Sequence, residues 1–150
     1  MQVAGANNVV QKNQISGAND GVRVLGAGNR VIGNGVDRCR AMGVAVGGGL
    51  GNFVAKNTVT GSTGSGVDVR NGVGTIVKQN TLSGNGNYGV GVFLGSDDTV
   101  VEKNAIRGSD LSGIWVEDAG TVAITGNTVL GSREDGIHVG PTSTRLTKNT

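Results

Sequence analysis

The chain has 150 residues, 29 of them glycine and only one proline, with a formal charge of +2. Lacking a Gly-X-Y period it is no collagen, and lacking any apolar run near ~18 residues it has no membrane-spanning helix. Cys39 stands alone, which excludes a disulfide framework, and the small charge, carried by cations spread along the chain, argues against nucleic acid.

From the N-terminus, MQVAGANNVV has neither the basic start nor the apolar core of a signal peptide. A series then begins: Val10, Asn13, Ile15, Gly17, Gly21, Val22 and Val24. It returns as Val31, Asn34, Val36, Gly43, Val44 and Val46, with Arg38 at the position of the first glycine. The third round is Val54, Asn57, Val59, Gly61, Gly66, Val67 and Val69, and the fourth is Val77, Asn80, Leu82, Gly84, Gly89, Val90 and Val92. The fifth is Val101, Asn104, Ile106, Gly108, Gly113, Ile114 and Val116. The sixth is Ile124, Asn127, Val129, Gly131, Gly136, Ile137 and Val139, and Leu146 and Asn149 open a seventh. The asparagines lie 21, 23, 23, 24, 23 and 22 residues apart.

Within each repeat the apolar residues alternate with polar or small ones, the period of a strand. A unit of ~22 residues cannot bury its own apolar face and must stack on copies of itself. The frame therefore predicts an all-β parallel β-helix of about six coils, with three short strands per coil and coils rising by ~4.8 Å. The β-branched residues point inward and stack on their counterparts. Asn13, Asn34, Asn57, Asn80, Asn104 and Asn127 are expected to form a hydrogen-bonded ladder, and the left-handed conformation that asparagine tolerates suits them to the bend itself. A second, mostly polar file precedes them by five residues: Asn8, Asn29, Asn52, Thr75, Thr99, Val122 and Thr144.

The pattern N-x-[IV]-x-G…G-[IV]-x-V, as in "NTVTGSTGSGVDV" and "NTVLGSREDGIHV", resembles the right-handed parallel β-helix repeats of pectin-lyase-like proteins, including NosD-type proteins and mannuronan C5-epimerases. The resemblance spans the whole chain. It implies an extracellular or periplasmic setting and a carbohydrate-directed role. It leaves the function open, because one repeat can carry lyases, hydrolases, epimerases, adhesins and spacers.

The outward position of the strand after the second glycine holds Arg23, Ala45, Asp68, Gly91, Trp115 and His138 in successive coils. The only tryptophan and the only histidine are thus neighbours on one outer face. This predicts a carbohydrate platform: Trp115 exposed for stacking on a sugar, Gly91 leaving room, and Asp68, Glu117 and His138 bonding hydroxyls, with Asp118 and Tyr88 close by. The alternative is a row of unconstrained solvent-facing positions.

For catalysis, glycoside hydrolysis needs paired carboxylates. "NDG" at Asn19 to Gly21 and "EDG" at Glu134 to Gly136 resemble the Asn-Thr-Asp-Gly motif of polygalacturonases, but Asp20 and Asp135 lie five coils apart. No complete catalytic constellation stands in these residues, and no metal or cofactor is expected. Lys12, Lys56, Lys103 and Lys148 each precede a ladder asparagine, forming a sparse positive row. That row is read as a solubilising face that discourages sideways sheet association, with an anionic polysaccharide as the alternative. Neither end carries a capping helix, so residues 1–150 are expected to form one segment of a longer solenoid, or to self-associate end to end or laterally. Three functions remain: a carbohydrate-directed scaffold or binding segment, part of a polyuronate lyase, hydrolase or epimerase, and a structural stalk or adhesin repeat.

Overall fold

The computed structural model describes every residue from Met1 to Thr150. It contains twenty strands and no helix. They form three parallel sheets that the chain visits in rotation, each strand pairing with its equivalent one coil away. The first sheet has seven strands and includes Val67–Arg70, Val90–Phe93, Ile114–Glu117 and Ile137–Val139. The second has seven, from Val9–Gln11 to Ser143–Thr147, and the third has six, from Gln14–Ser16 to Thr128–Leu130.

The register follows the sequence frame. Val67 pairs with Val44 and Val90, and Val90 with Ile114; Leu82 pairs with Val59 and Ile106. These residues form one continuous core with almost no solvent exposure. Short β-branched side chains suit it, since the space between three closely spaced sheets admits only thin layers. Larger rings are left for the outside.

The ladder asparagines are buried from Asn34 to Asn127. The Asn80 Oδ1 accepts both the backbone N–H (2.9 Å) and the side-chain amide (3.0 Å) of Asn57, while its own amide donates to the Val54 carbonyl and to Asn104. Each asparagine thereby ties its coil to the coils on either side. The left-handed bend, however, belongs to the residue before it: Lys12, Lys56, Gln79, Lys103 and Lys148 have φ of 53–57°, and Gly33 and Gly126 take the remaining places. Asparagine is used here for its two-ended side chain, not for its backbone tolerance. At the next corner, Arg38 keeps the left-handed conformation (φ 48°) that glycines hold in the other coils. The second polar file starts as a ladder, Asn8 to Asn29 to Asn52, and then passes to Thr75 and Thr99.

The glycine leading into the first sheet is sterically required. A Cβ on Gly89 would lie 2.3 Å from Ile106 Cγ2 and 2.7 Å from the Gly113 carbonyl. Gly113 makes the same approach one coil on, where a Cβ would lie 2.7 Å from the Gly136 carbonyl, so the chain turns directly over its core just before Ile114 and Trp115.

Candidate functional site

The outward file of the first sheet is in register as the alternation predicts: Arg23, Ala45, Asp68, Gly91, Trp115 and His138 lie side by side. Two residues further along each strand a second outward file runs Gly47, Arg70, Phe93 and Glu117. Between them these files carry most of the chain's ring side chains.

The rings stack along the rod. The indole of Trp115 lies over the imidazole of His138 with centroids 3.7 Å apart and planes 8° from parallel. Its other side meets Tyr88 at 5.3 Å and 23°, and Tyr88 contacts Phe93 at 5.9 Å. The Arg70 guanidinium then lies over Phe93, 4.5 Å from its centroid. Each end of the row is held by a carboxylate. Asp68 accepts from Arg70 Nε (2.7 Å) and Nη2 (3.3 Å), and Asp135 lies 3.0 Å from His138 Nδ1. Glu117 accepts the Trp115 indole N–H at 3.1 Å. Stacked aromatic pairs of this kind contribute about 0.5–1.5 kcal/mol each beyond the area they bury.

Three expectations change. Trp115 is half-buried rather than freely exposed, and both faces of its ring are covered, so only its edge can meet a sugar. Gly91 does leave room, but Phe93 and Tyr88 fill it: a Cβ there would sit 2.4 Å from the Phe93 ring and 3.4 Å from Tyr88. Asp68 is 3% exposed and committed to Arg70, which removes it from the groups open to a ligand.

Tyr88 does stand on the patch, two residues before the strand Val90–Phe93. Burial raises its phenol above the usual tyrosine range, and the negative charges of Glu134 and Glu117 add to that. Asp118 is exposed at the corner beyond Glu117, with a left-handed backbone (φ 52°). Phe93, Arg70 and Asp135 are the members that sequence reasoning missed. The first two share a face with Gly91 and Asp68 by strand alternation, so their places were readable. Asp135 sits outside the strand, and nothing in the period fixes its direction.

The open groups are therefore ring edges and the exposed carboxylates Glu117, Asp118, Glu134 and Asp135. They can accept hydrogen bonds from hydroxyls and they repel anions. No cluster of His, Cys, Asp and Glu has the arrangement of a metal site.

The double mutant of the periplasmic alginate epimerase AlgG superposes with a TM-score of 0.87 at 21% identity, over 94% of this chain and 34% of the epimerase. A single mutant of the same enzyme gives 0.83 at 20% identity, over 95% of this chain and 35% of that one. An alginate lyase from Paenibacillus sp. strain FPU-7 gives 0.69 at 16% identity, over 98% of this chain and 74% of the lyase. At these identities the likeness is one of fold, and the chain spans about a third of the epimerase's length. Among curated proteins none matches the sequence. The family described as "right handed beta helix region" matches residues 1–150, and the chain belongs to it.

Proposed function

We propose that this chain is a carbohydrate-directed β-helix scaffold that holds a glycan along the outer face of its first sheet, in an extracellular or periplasmic setting. The observation that carries the reading is the single row Arg70–Phe93–Tyr88–Trp115–His138, fixed at both ends by carboxylates on an otherwise aromatic-poor chain. Such a row is rigid, amphipathic and linear, which suits an extended polymer. The fold shared with an alginate epimerase and an alginate lyase supports a polysaccharide ligand in general.

The ligand lies across ring edges and gives its hydroxyl hydrogens to Glu117 and Asp135. Four exposed carboxylates beside the rings disfavour a uronate at this place and favour a neutral sugar segment. A second reading, a structural rod, rests on one observation: the ring faces are taken up by one another, so the row also stiffens the solenoid.

Trp115 is the only tryptophan, so its emission reports on this face alone. Titration with neutral, galacturonate and mannuronate oligosaccharides is expected to give a saturable change with a neutral sugar. His138→Ala is expected to weaken it by about two- to tenfold, since the row loses one stacked pair and with it the fixed place of the indole edge. A folded protein whose emission responds to none of the sugars would leave only the rod.

A further inference from the structure

All five lysines of the chain, Lys12, Lys56, Lys78, Lys103 and Lys148, fall on the edge between the second and third sheets, and all eight arginines lie elsewhere. Four of them occupy the left-handed position before a ladder asparagine, in every second coil, with Gly33, Gln79 and Gly126 between. The file is continuous: Lys12 N–H donates to the Ile32 carbonyl, Lys56 to Lys78, Gln79 to Glu102 and Lys103 to Thr125. Left-handed backbone disfavours side chains other than glycine and asparagine, so lysine is not the residue this bend would choose for itself.

The surroundings leave these charges free. Lys12, Lys56, Lys103 and Lys148 are exposed, and none of them forms an ion pair. The neighbouring file on the second sheet holds one acid, Glu102, already paired with Lys78 at 3.5 Å. The neighbouring file on the third sheet, Gln14, Gly35, Thr58, Thr81, Ala105 and Thr128, carries no charge and offers hydroxyls and an amide. Beside Lys56 a cleft of about 340 Å³ is bordered by Gln14, Thr58, Thr60 and Asp37, with the Gln14 amide lying over Gly35. Asp37 accepts hydrogen bonds from Thr60 and Arg38, which hold its carboxyl below the usual range and its charge partly offset.

We propose that this edge is a binding track for an extended linear polyuronate. Two coils rise by about 10 Å, so the four lysines present a row of cations at that repeat. A two-fold extended chain of 1,4-linked uronates advances by about one strand spacing per sugar, so its alternate carboxylates face one side at the same repeat. Lysine is a point cation on a flexible stem, so the row can follow a file of carboxylates without a fixed bidentate geometry. No aromatic lies along the three files, so the bases of a single-stranded nucleic acid would find no stacking platform. The track is separate from the aromatic face and does not rest on the function proposed for it.

The test is fluorescence anisotropy with a labelled oligomannuronate of about eight sugars, enough to reach from Lys12 to Lys148 at one sugar per coil. The variant Lys12→Gln/Lys56→Gln/Lys103→Gln/Lys148→Gln removes the row and retains the fold, because Gln79 holds this backbone already (φ 54°). Arg30→Gln/Arg40→Gln/Arg107→Gln/Arg145→Gln removes the same charge from other faces. The lysine variant should bind at least about tenfold more weakly and with a shallower salt dependence, while the arginine variant changes by about twofold or less. Trp115 emission should stay constant throughout, which separates this track from the aromatic face. Equal losses in both variants would reduce the effect to net charge and overturn the proposal. So would an absence of binding by the parent, or binding of single-stranded DNA as tight as that of the uronate through the same lysines.

Discussion

Tyr88 shows how one residue registers the whole row. Its ring packs between Trp115 and Phe93, and its phenol is held protonated above the ordinary range by burial first and by Glu134 and Glu117 next. In the unfolded chain the same group ionises near its usual value, ~10. Between that value and the higher folded one, the unfolded state has lost a proton that the folded state keeps. Stability therefore falls as pH rises through this window. As the sole tyrosine, Tyr88 should show its phenolate absorbance at a higher pH than free tyrosine, and the alkaline loss of stability should shrink in Tyr88→Phe. A midpoint at or below that of the free amino acid would place the ring in water, outside the stack. The same residue marks a limit of legibility. Its place before the strand could be counted from the repeat, but its side-chain direction is a rotamer choice that no two-residue alternation specifies.

At the scale of the element, the ladder is the most regular device of the fold. In Asn80→Ala the Asn57 backbone N–H and the Val54 carbonyl lose their side-chain partner inside the protein. Each orphaned buried group costs about 1–3 kcal/mol, so we expect a loss of roughly 3–5 kcal/mol in urea denaturation. A loss below about 1 kcal/mol would mean that water reaches the ladder. The strands, their register and the ladder were all legible, because stacking forces every coil to repeat the same inward residues. The bend was legible only in position. The chain assigns the left-handed backbone to Lys56 and Lys103, one residue before the asparagines that local propensity would select, since the asparagine side chain is needed inside. The Asp68–Arg70 pair went unread for a different reason. Two outward residues on one strand lie within reach of each other, so the acid that alternation alone leaves free is taken up in an ion pair.

At the scale of the molecule, the solenoid sorts its chemistry by face. The first sheet carries the stacked rings and their carboxylates, and the edge between the second and third carries every lysine. A net charge of +2 conceals this arrangement, because separation along a repeat is invisible to a sum. The coordinates of that sorting were present in the sequence as files about 23 residues apart, but the contacts within each face required the structure. We propose the two faces as separate ligand surfaces, a reading that amide chemical-shift mapping of the isotopically labelled chain can check residue by residue. A neutral oligosaccharide should move the Trp115 indole N–H and the amides of Gly91, Trp115 and His138, and an oligomannuronate should move those of Lys56, Lys103 and Thr58. Shifts confined to one common set of amides for both ligands, or no shifts for either, would contradict it.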